Sequence, residues 1–504
     1  MGAYEDFLAR AKELALVESS IAILHWDLET YMPPRGISLR SQQIAKLSRI
    51  QHDILTSPET GRLIEAAERE SSSYDEVMQR NLYLFKREYE QETRVPGSLV
   101  AEIARQQAVA VEVWKKAKAA NDWKKFEPEL QKMMELVRKK AEIVMDVKGI
   151  PDVYDCLIDD YERAMTSDRI ERVFRELRDG LVPLTKKCVD ATADIDVSHL
   201  SRPVPIETQR KIATTLAQLI GYDTTSENAG GRIDETEHPF TTGYFDDVRV
   251  TVHYHENNVM SMIYAVLHEG GHALYEQYLN HDWMYQPVGQ AASMGIHESM
   301  SRFVENIYGR TSEFWSYFYP RLNQLTNGTF SDVDVDDFVR AVNIVRPSKI
   351  RIEADEVTYS LHVIIRFEIE RDLFSDKVTI SELPQVWNDK YEKYLGVEIE
   401  NDAEGVMQDT HWASGLWGYF PSYALGNVYD GMWLEKINRD LPGWQDRIAD
   451  GEFAHIRKWL TENIHSKSAL YDPADLVKRV TGKDLEARSF LRYLETKYSR
   501  LFGL

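Results

Sequence analysis

Ile263-Tyr264-Ala265-Val266-Leu267-His268-Glu269-Gly270-Gly271-His272-Ala273-Leu274-Tyr275 is the stretch around which the rest of this 504-residue chain is read. Apolar residues flank the charged centre on both sides, which marks a buried helix rather than a surface one. Residues four apart lie on one helical face, so His268 and His272 can point at one metal ion. Glu269 is offset by one position, beside the metal but not on it, where it can take a proton from bound water. Two histidines and a glutamate on a buried face need partners. Mid-helix glycine costs about 1 kcal/mol relative to alanine, so Gly270-Gly271 implies that another backbone or a substrate chain approaches this turn closely. The segment just before it, Asp247-Val248-Arg249-Val250-Thr251-Val252-His253-Tyr254, is the expected neighbour. It alternates, with Val248, Val250, Val252 and Tyr254 on one face, and reads as a strand.

A catalytic zinc takes three protein ligands and keeps a fourth position for water. A third histidine six residues after His272 is absent, because Tyr278 stands there and Tyr275 replaces the glycine that accompanies it. The alternative is a carboxylate from a following helix. Gln286-Pro287-Val288-Gly289 marks a turn, and the next helix carries Gly295-Ile296-His297-Glu298-Ser299-Met300-Ser301-Arg302. An antiparallel pair would bring Glu298 to the metal. His297 competes, but it lies about 100° round the helix, so one of the two faces the ion squarely; Glu298 is the expected ligand.

Working outward, helical periodicity covers most of the chain. Apolar stripes at three-four spacing run over 4–28 and about 38–54, 75–94, 97–120, 124–147 and 166–189. Others cover about 207–221, 257–280, 291–327, 336–345, 349–374, 383–396 and 453–465. Pro and Gly mark breaks, but no linker or repeat divides the chain, so 1–504 reads as one all-α domain with a small β element around 247–254.

The 82 acidic and 60 basic residues leave a net charge of −22, which argues against nucleic acid or an anionic membrane as partner. Cys156 and Cys188 make no secreted disulfide framework, and the acidic start Met1-Gly2-Ala3-Tyr4-Glu5-Asp6 is no signal peptide. A reducing cytoplasm is the expected home.

Several further motifs fall in order: His238-Pro239-Phe240, Asp247-Val248-Arg249-Val250-Thr251, His268 to His272, and His297-Glu298-Ser299. Ile350-Arg351-Ile352-Glu353-Ala354-Asp355, Gly405-Val406-Met407-Gln408-Asp409-Thr410-His411-Trp412 and Gly418-Tyr419-Phe420-Pro421-Ser422-Tyr423 follow. With His25-Trp26-Asp27-Leu28 near the start, this set resembles the carboxypeptidase Taq family of zinc metallocarboxypeptidases across the whole chain. The resemblance implies an all-α body like neurolysin and angiotensin-converting enzyme, with a deep groove between two helical walls, zinc on its floor and a homodimeric assembly. Two departures stand out. Val252-His253 replaces a frequent Thr-Arg, and Met300 replaces a frequent Gln.

The expected reaction is release of single C-terminal amino acids from peptides, one zinc per chain activating water and Glu269 acting as general base. Cobalt or manganese suits the same ligands. The resemblance implies an oxyanion donor from the 418–423 segment, Tyr423 ahead of Tyr419. A reader of chain ends must pair the terminal carboxylate, a task for arginine. Arg351 is expected to open a helix on which Arg351, Asp355, Thr358 and His362 form a polar stripe facing the groove, with Arg346 and Arg249 behind it as candidates. His238 and His411 are expected along the groove wall. The competing readings are an endo-oligopeptidase or dipeptidyl carboxypeptidase on the same groove, and a non-catalytic peptide-binding scaffold.

Overall fold

The fold was obtained as a computed structural model that describes residues 2–504; Met1, where the single-domain reading begins, lies outside them. The first half is helical: α1 (Ala3–Glu29), α2 (Ile37–Leu55), α3 (Pro58–Glu70), α4 (Glu76–Arg94), α5 (Gly97–Ala120), α6 (Trp123–Lys148), α7 (Val153–Ile158), α8 (Ser167–Thr192) and α9 (Ile206–Ile220). A small sheet follows, β1 (Gly231–Glu235), β2 (Thr241–Tyr244) and β3 (Asp247–Val252). Then come α10 (Val259–Gln277), α11 (Met294–Arg302), α12 (Ser312–Leu325), α13 (Val335–Val342), α14 (Tyr359–Phe374) and α15 (Leu383–Leu395). The chain ends with α16 (Phe420–Asp440), α17 (Trp444–Ala449), α18 (Ala454–Asn463), α19 (Pro473–Thr481) and α20 (Arg488–Phe502). The fold is all-α apart from that sheet. Among the described residues no helix is long and apolar enough to cross a membrane.

The sheet has order β1-β3-β2, with β3 parallel to β1 and antiparallel to β2. Val248, Val250 and Val252 are fully buried, as the alternation requires, but so is Thr251. Its hydroxyl accepts from the Phe240 N–H at 2.9 Å, so a polar atom satisfies the opposite face. One large core runs from Val95 on α4's exit to Tyr498 on α20, and a smaller one joins α1, α3 and α4 through Phe7, Ile64 and Phe85.

Two expectations needed correction, and one helix had not been anticipated. The stripe over 291–327 is not one helix: α11 passes at Phe303–Tyr308 into a π-helical turn, and α12 starts afresh at Thr311, whose hydroxyl caps the Phe314 N–H. The stripe over 349–374 begins only at Tyr359. Arg351 sits on a short 3-10 turn, and the Asp355 carboxylate accepts from the Val357 and Thr358 N–H groups at 3.0 Å each. Such a side-chain turn competes with helix, so no stripe of Arg351, Asp355, Thr358 and His362 forms. No stripe announced α16, which starts at Phe420 within the 418–423 segment and is buried almost all round as far as Leu434. A helix buried on nearly every side, with Ser422, Asn427 and Asp430 among its buried residues, shows no amphipathic period, which is why periodicity misses it.

Candidate metal centre

α10 begins at Asn258, whose side chain accepts from the Ser261 N–H at 3.2 Å, and carries His268, Glu269 and His272 to the floor of a cavity of about 710 Å³. α11 begins at Ser293, which caps the Ile296 N–H at 3.1 Å, and carries Glu298 to the same place. What lets the two helices touch is Gly271. A Cβ there would meet Met300 O at 2.5 Å and the Ser301 Cα at 2.6 Å. The close neighbour expected at this turn is therefore the α11 backbone and not the strand, while Gly270 makes room for the Ile220 side chain.

His268, His272 and Glu298 offer ligand atoms within 4.8 Å of one another. Glu298 Oε2 lies 3.7 Å from His268 Nε2 and 3.6 Å from His272 Nε2. Those distances are too long for hydrogen bonds. They fit the edge of a tetrahedron around a metal with arms of about 2.0–2.1 Å, which is about 3.4 Å. The other ring nitrogens are taken. His268 Nδ1 lies 2.9 Å from Glu305 Oε2, and His272 Nδ1 lies 2.6 Å from His297 Nδ1, whose own Nε2 is 2.8 Å from Glu276 Oε1. His297 thus stands behind His272 and orients it. Such outer contacts fix the tautomer of ligating imidazoles.

Electrostatics give the same indication. Glu269, Glu276, Glu298 and Glu305 crowd this floor, and Arg302 and Arg310 oppose them, Arg302 Nε donating to Glu298 Oε1 at 2.9 Å. Acidic side chains outnumber basic ones on this floor, which suits a cation. Burial pushes the Glu298 carboxyl up, but Arg302 and the two histidines outweigh it and hold it well below its ordinary value. Glu269 is raised by burial, against the pull of His268 and the Thr241 hydroxyl. The Thr241 hydroxyl lies 2.7 Å from Glu269 Oε2 and 2.9 Å from its carbonyl oxygen. Periodicity could not point to Thr241. Glu305 was findable, seven residues from Glu298 and so two turns along the same face.

The remaining candidates separate. Tyr419 and Tyr423 line the cavity with Phe240, and their rings lie 5.0 Å apart. His411 Nε2 is 3.1 Å from the Tyr423 hydroxyl, and burial lowers this imidazole to about 4, so it is neutral at pH 7. His238 is exposed and does not reach the lining, where Pro239 and Phe240 stand instead. Arg249 pairs with Asp247 through two bonds of 2.7 and 2.8 Å and stacks over Trp26. Arg351 is buried and bound to Asp409 at 3.0 Å, which also binds the fully buried Arg366, and its guanidinium lies 5.0 Å from the Tyr423 ring centre. Arg346 is exposed and has no ion pair among the described residues.

A family model described as carboxypeptidase Taq (M32) metallopeptidase matches residues 6–498. The chain is similar to thermostable carboxypeptidase 1 of Thermus thermophilus, 38% identical over 510 residues and covering 99% of each protein. It is equally similar to carboxypeptidase 1 of Bacillus subtilis, 38% identical with 99% of each covered. The crystal structure of an M32 carboxypeptidase from Deinococcus radiodurans superposes over 100% of both chains with a TM-score of 0.95 at 32% identity.

Proposed function

The chain belongs to the carboxypeptidase Taq (M32) metallopeptidase family and is a metallocarboxypeptidase, and from that premise we propose that it releases single C-terminal amino acids, with one zinc ion held by His268, His272 and Glu298 and with Glu269 as general base. The observation that carries this reading is the convergence of two imidazole Nε2 atoms on Glu298 Oε2, each imidazole held from behind. When bound, the ion supplies a Lewis acid that polarises the scissile carbonyl and lowers the pKa of the attacking water.

The protein's own groups do the rest. Glu269 accepts the proton of the attacking water and later delivers it to the leaving amine. The Thr241 hydroxyl steers one Glu269 oxygen, which leaves the other for the proton. The Tyr423 hydroxyl donates to the developing oxyanion. For that proton to face substrate, neutral His411 must donate its Nε2–H to the phenol oxygen. Tyr419 and Phe240 give the cavity an aromatic lining beside these groups.

Capture of the terminal carboxylate falls to two arginines acting differently. Arg351 and Arg366 share the single carboxylate of Asp409, which leaves one positive charge behind Tyr423. Arg346, exposed and without an ion pair among the described residues, is the candidate for direct contact beside Arg351, whose Nε and Nη2 already donate to Asp409. Cobalt or manganese substitutes for zinc at these ligands. The cytoplasmic address and the homodimer belong to the same proposal, the latter supported by exposed Leu16, Ile23, Ile37 and Leu39 on α1 and α2.

The test is metal analysis of the purified protein together with mass spectrometry of a digested peptide. Stepwise loss of single C-terminal residues, stopped by a chelator, is expected. Equal cleavage of the peptide and its C-terminal amide would instead indicate an endopeptidase.

A further inference from the structure

Glu162 lies on the loop after α7, far from the motifs that mark the site, yet its side chain is fully buried. It stands at the start of α11. The first-turn N–H groups of that helix, which have no partner within a helix, are each accounted for. Met294 N–H donates to Tyr161 O at 3.1 Å, Gly295 N–H donates to Glu162 Oε1 in a short bond, and Ile296 N–H donates to Ser293 Oγ. The second carboxylate oxygen accepts from the Tyr429 hydroxyl at 2.9 Å, on α16. Two of the three first-turn bonds therefore come from neighbouring residues of one loop. Gly295 is part of the arrangement, since a Cβ there would meet the Glu162 Cδ at 2.9 Å and the Tyr429 ring at 3.1 Å.

α11 has nine residues, and Glu298 lies three beyond Gly295. Glu298 therefore lies one turn from the clamp, and the N-terminal anchor, with the Gly271 and Gly426 contacts, sets where it stands. Metal ligation tolerates only about 0.2 Å of ligand displacement. The same loop carries Tyr161 into the catalytic cavity, where it packs on Tyr419 with ring centres 4.9 Å apart. We infer that Glu162 is a positioning residue for catalysis: its carboxylate clamps the start of α11, and so sets the height of Glu298 against the two histidines. This rests on the reading of Glu298 as a metal ligand.

Burial raises Glu162 to about 7, so the experiment is run at pH 8, where the carboxylate is ionised. Chelator-stripped full-length protein is titrated with Co²⁺ and with Zn²⁺, the Co²⁺ absorption spectrum is recorded, and kcat and KM are measured separately. Glu162→Gln is expected to weaken metal binding about tenfold, in the range found for outer partners of metal sites. It should also change the Co²⁺ spectrum and lower kcat, with KM within about twofold of wild type. Glu298→Gln is run in parallel. If Glu298→Gln binds metal like wild type, the ligand reading itself fails. If Glu298→Gln loses metal but Glu162→Gln keeps wild-type affinity and spectrum, the clamp is refuted whatever happens to its melting temperature. Should Glu162→Gln not fold, Tyr429→Phe decides: it removes one donor to the carboxylate, and unchanged metal affinity there overturns the inference.

Discussion

The floor of the cavity and the arginine wall behind Tyr423 are both buried charged networks, and they differ in what they leave unfinished. On the floor, four carboxylates meet two guanidiniums, and two imidazole Nε2 atoms face a carboxylate oxygen at distances no hydrogen bond spans. On the wall, Asp409 binds Arg351 and Arg366, Gln408 Oε1 accepts from Arg366 at 2.8 Å and from the Arg351 N–H at 2.9 Å, and the donors are largely used. The floor is surplus negative and short of a partner; the wall is surplus positive and internally satisfied. A surplus with open ligand atoms binds a cation by contact. A surplus with its donors occupied acts on an anion through its field.

The comparison breaks most sharply at Glu269. Replacing it with Gln should retain metal and cut kcat by about 10²- to 10⁴-fold, the usual worth of a positioned general base. Peptide turnover with metal analysis measures both, and full activity in that variant would leave the floor without its proposed base.

The wall is broken by Asp409→Asn. Removing one partner of a buried pair costs about 3–5 kcal/mol, read by urea denaturation at pH 7. Burial pushes the Asp409 carboxyl up, but Arg366 and Arg351 outweigh it and hold it well below its ordinary 3.8. A depressed folded-state pKa contributes stability that is present above about pH 4 and lost as pH falls through the folded value. The gap between wild type and variant should therefore be full at pH 7 and close in strong acid. A gap independent of pH would mean that charge is not what the wall stores.

Arg346→Met sharpens the division between contact and field. Loss of a charge-assisted bond worth about 1.5–3 kcal/mol raises KM for free-acid peptides about 10- to 100-fold. The C-terminal amide should be little affected. An unchanged KM would leave the wall working through Arg351 alone.

The smallest effect is expected from Gly271→Ala. Overpacking against the Met300 and Ser301 backbone costs about 1–3 kcal/mol. It should weaken metal binding with it, since α10 and α11 are pushed apart. Calorimetry with and without Zn²⁺ checks this, and equal shifts in both would show that the helix contact is not tied to the metal.

Much of this was legible beforehand where a single element carried the information. The four-residue spacing of His268 and His272 needs only a helix, and most long amphipathic helices appear where their stripes predict. The alternation of β3 announced the sheet but not its other strands, because Thr241-Thr242-Gly243-Tyr244 has no apolar period. α16 stayed hidden because burial on nearly every side erases the pattern that exposes a helix to reading. Arg351 was misjudged as part of a helical stripe because Asp355 uses its side chain to turn the backbone. Its pairing with Asp409 joins residues 58 apart.

By itself, then, the sequence determined the helical class, the pairing of His268 and His272 on one face beside Glu269, and the family to which the chain belongs, since each is written in local spacing or in motif order. The tertiary structure alone decided which nitrogen of each imidazole is free, that His297 stands behind His272, that Arg351 is spent on Asp409 and that Glu162 reaches the metal-bearing helix. Those outcomes depend on which distant backbones come within hydrogen-bonding range. That is settled by packing at positions such as Gly271 and Gly295, where the absence of a Cβ lets one element approach another.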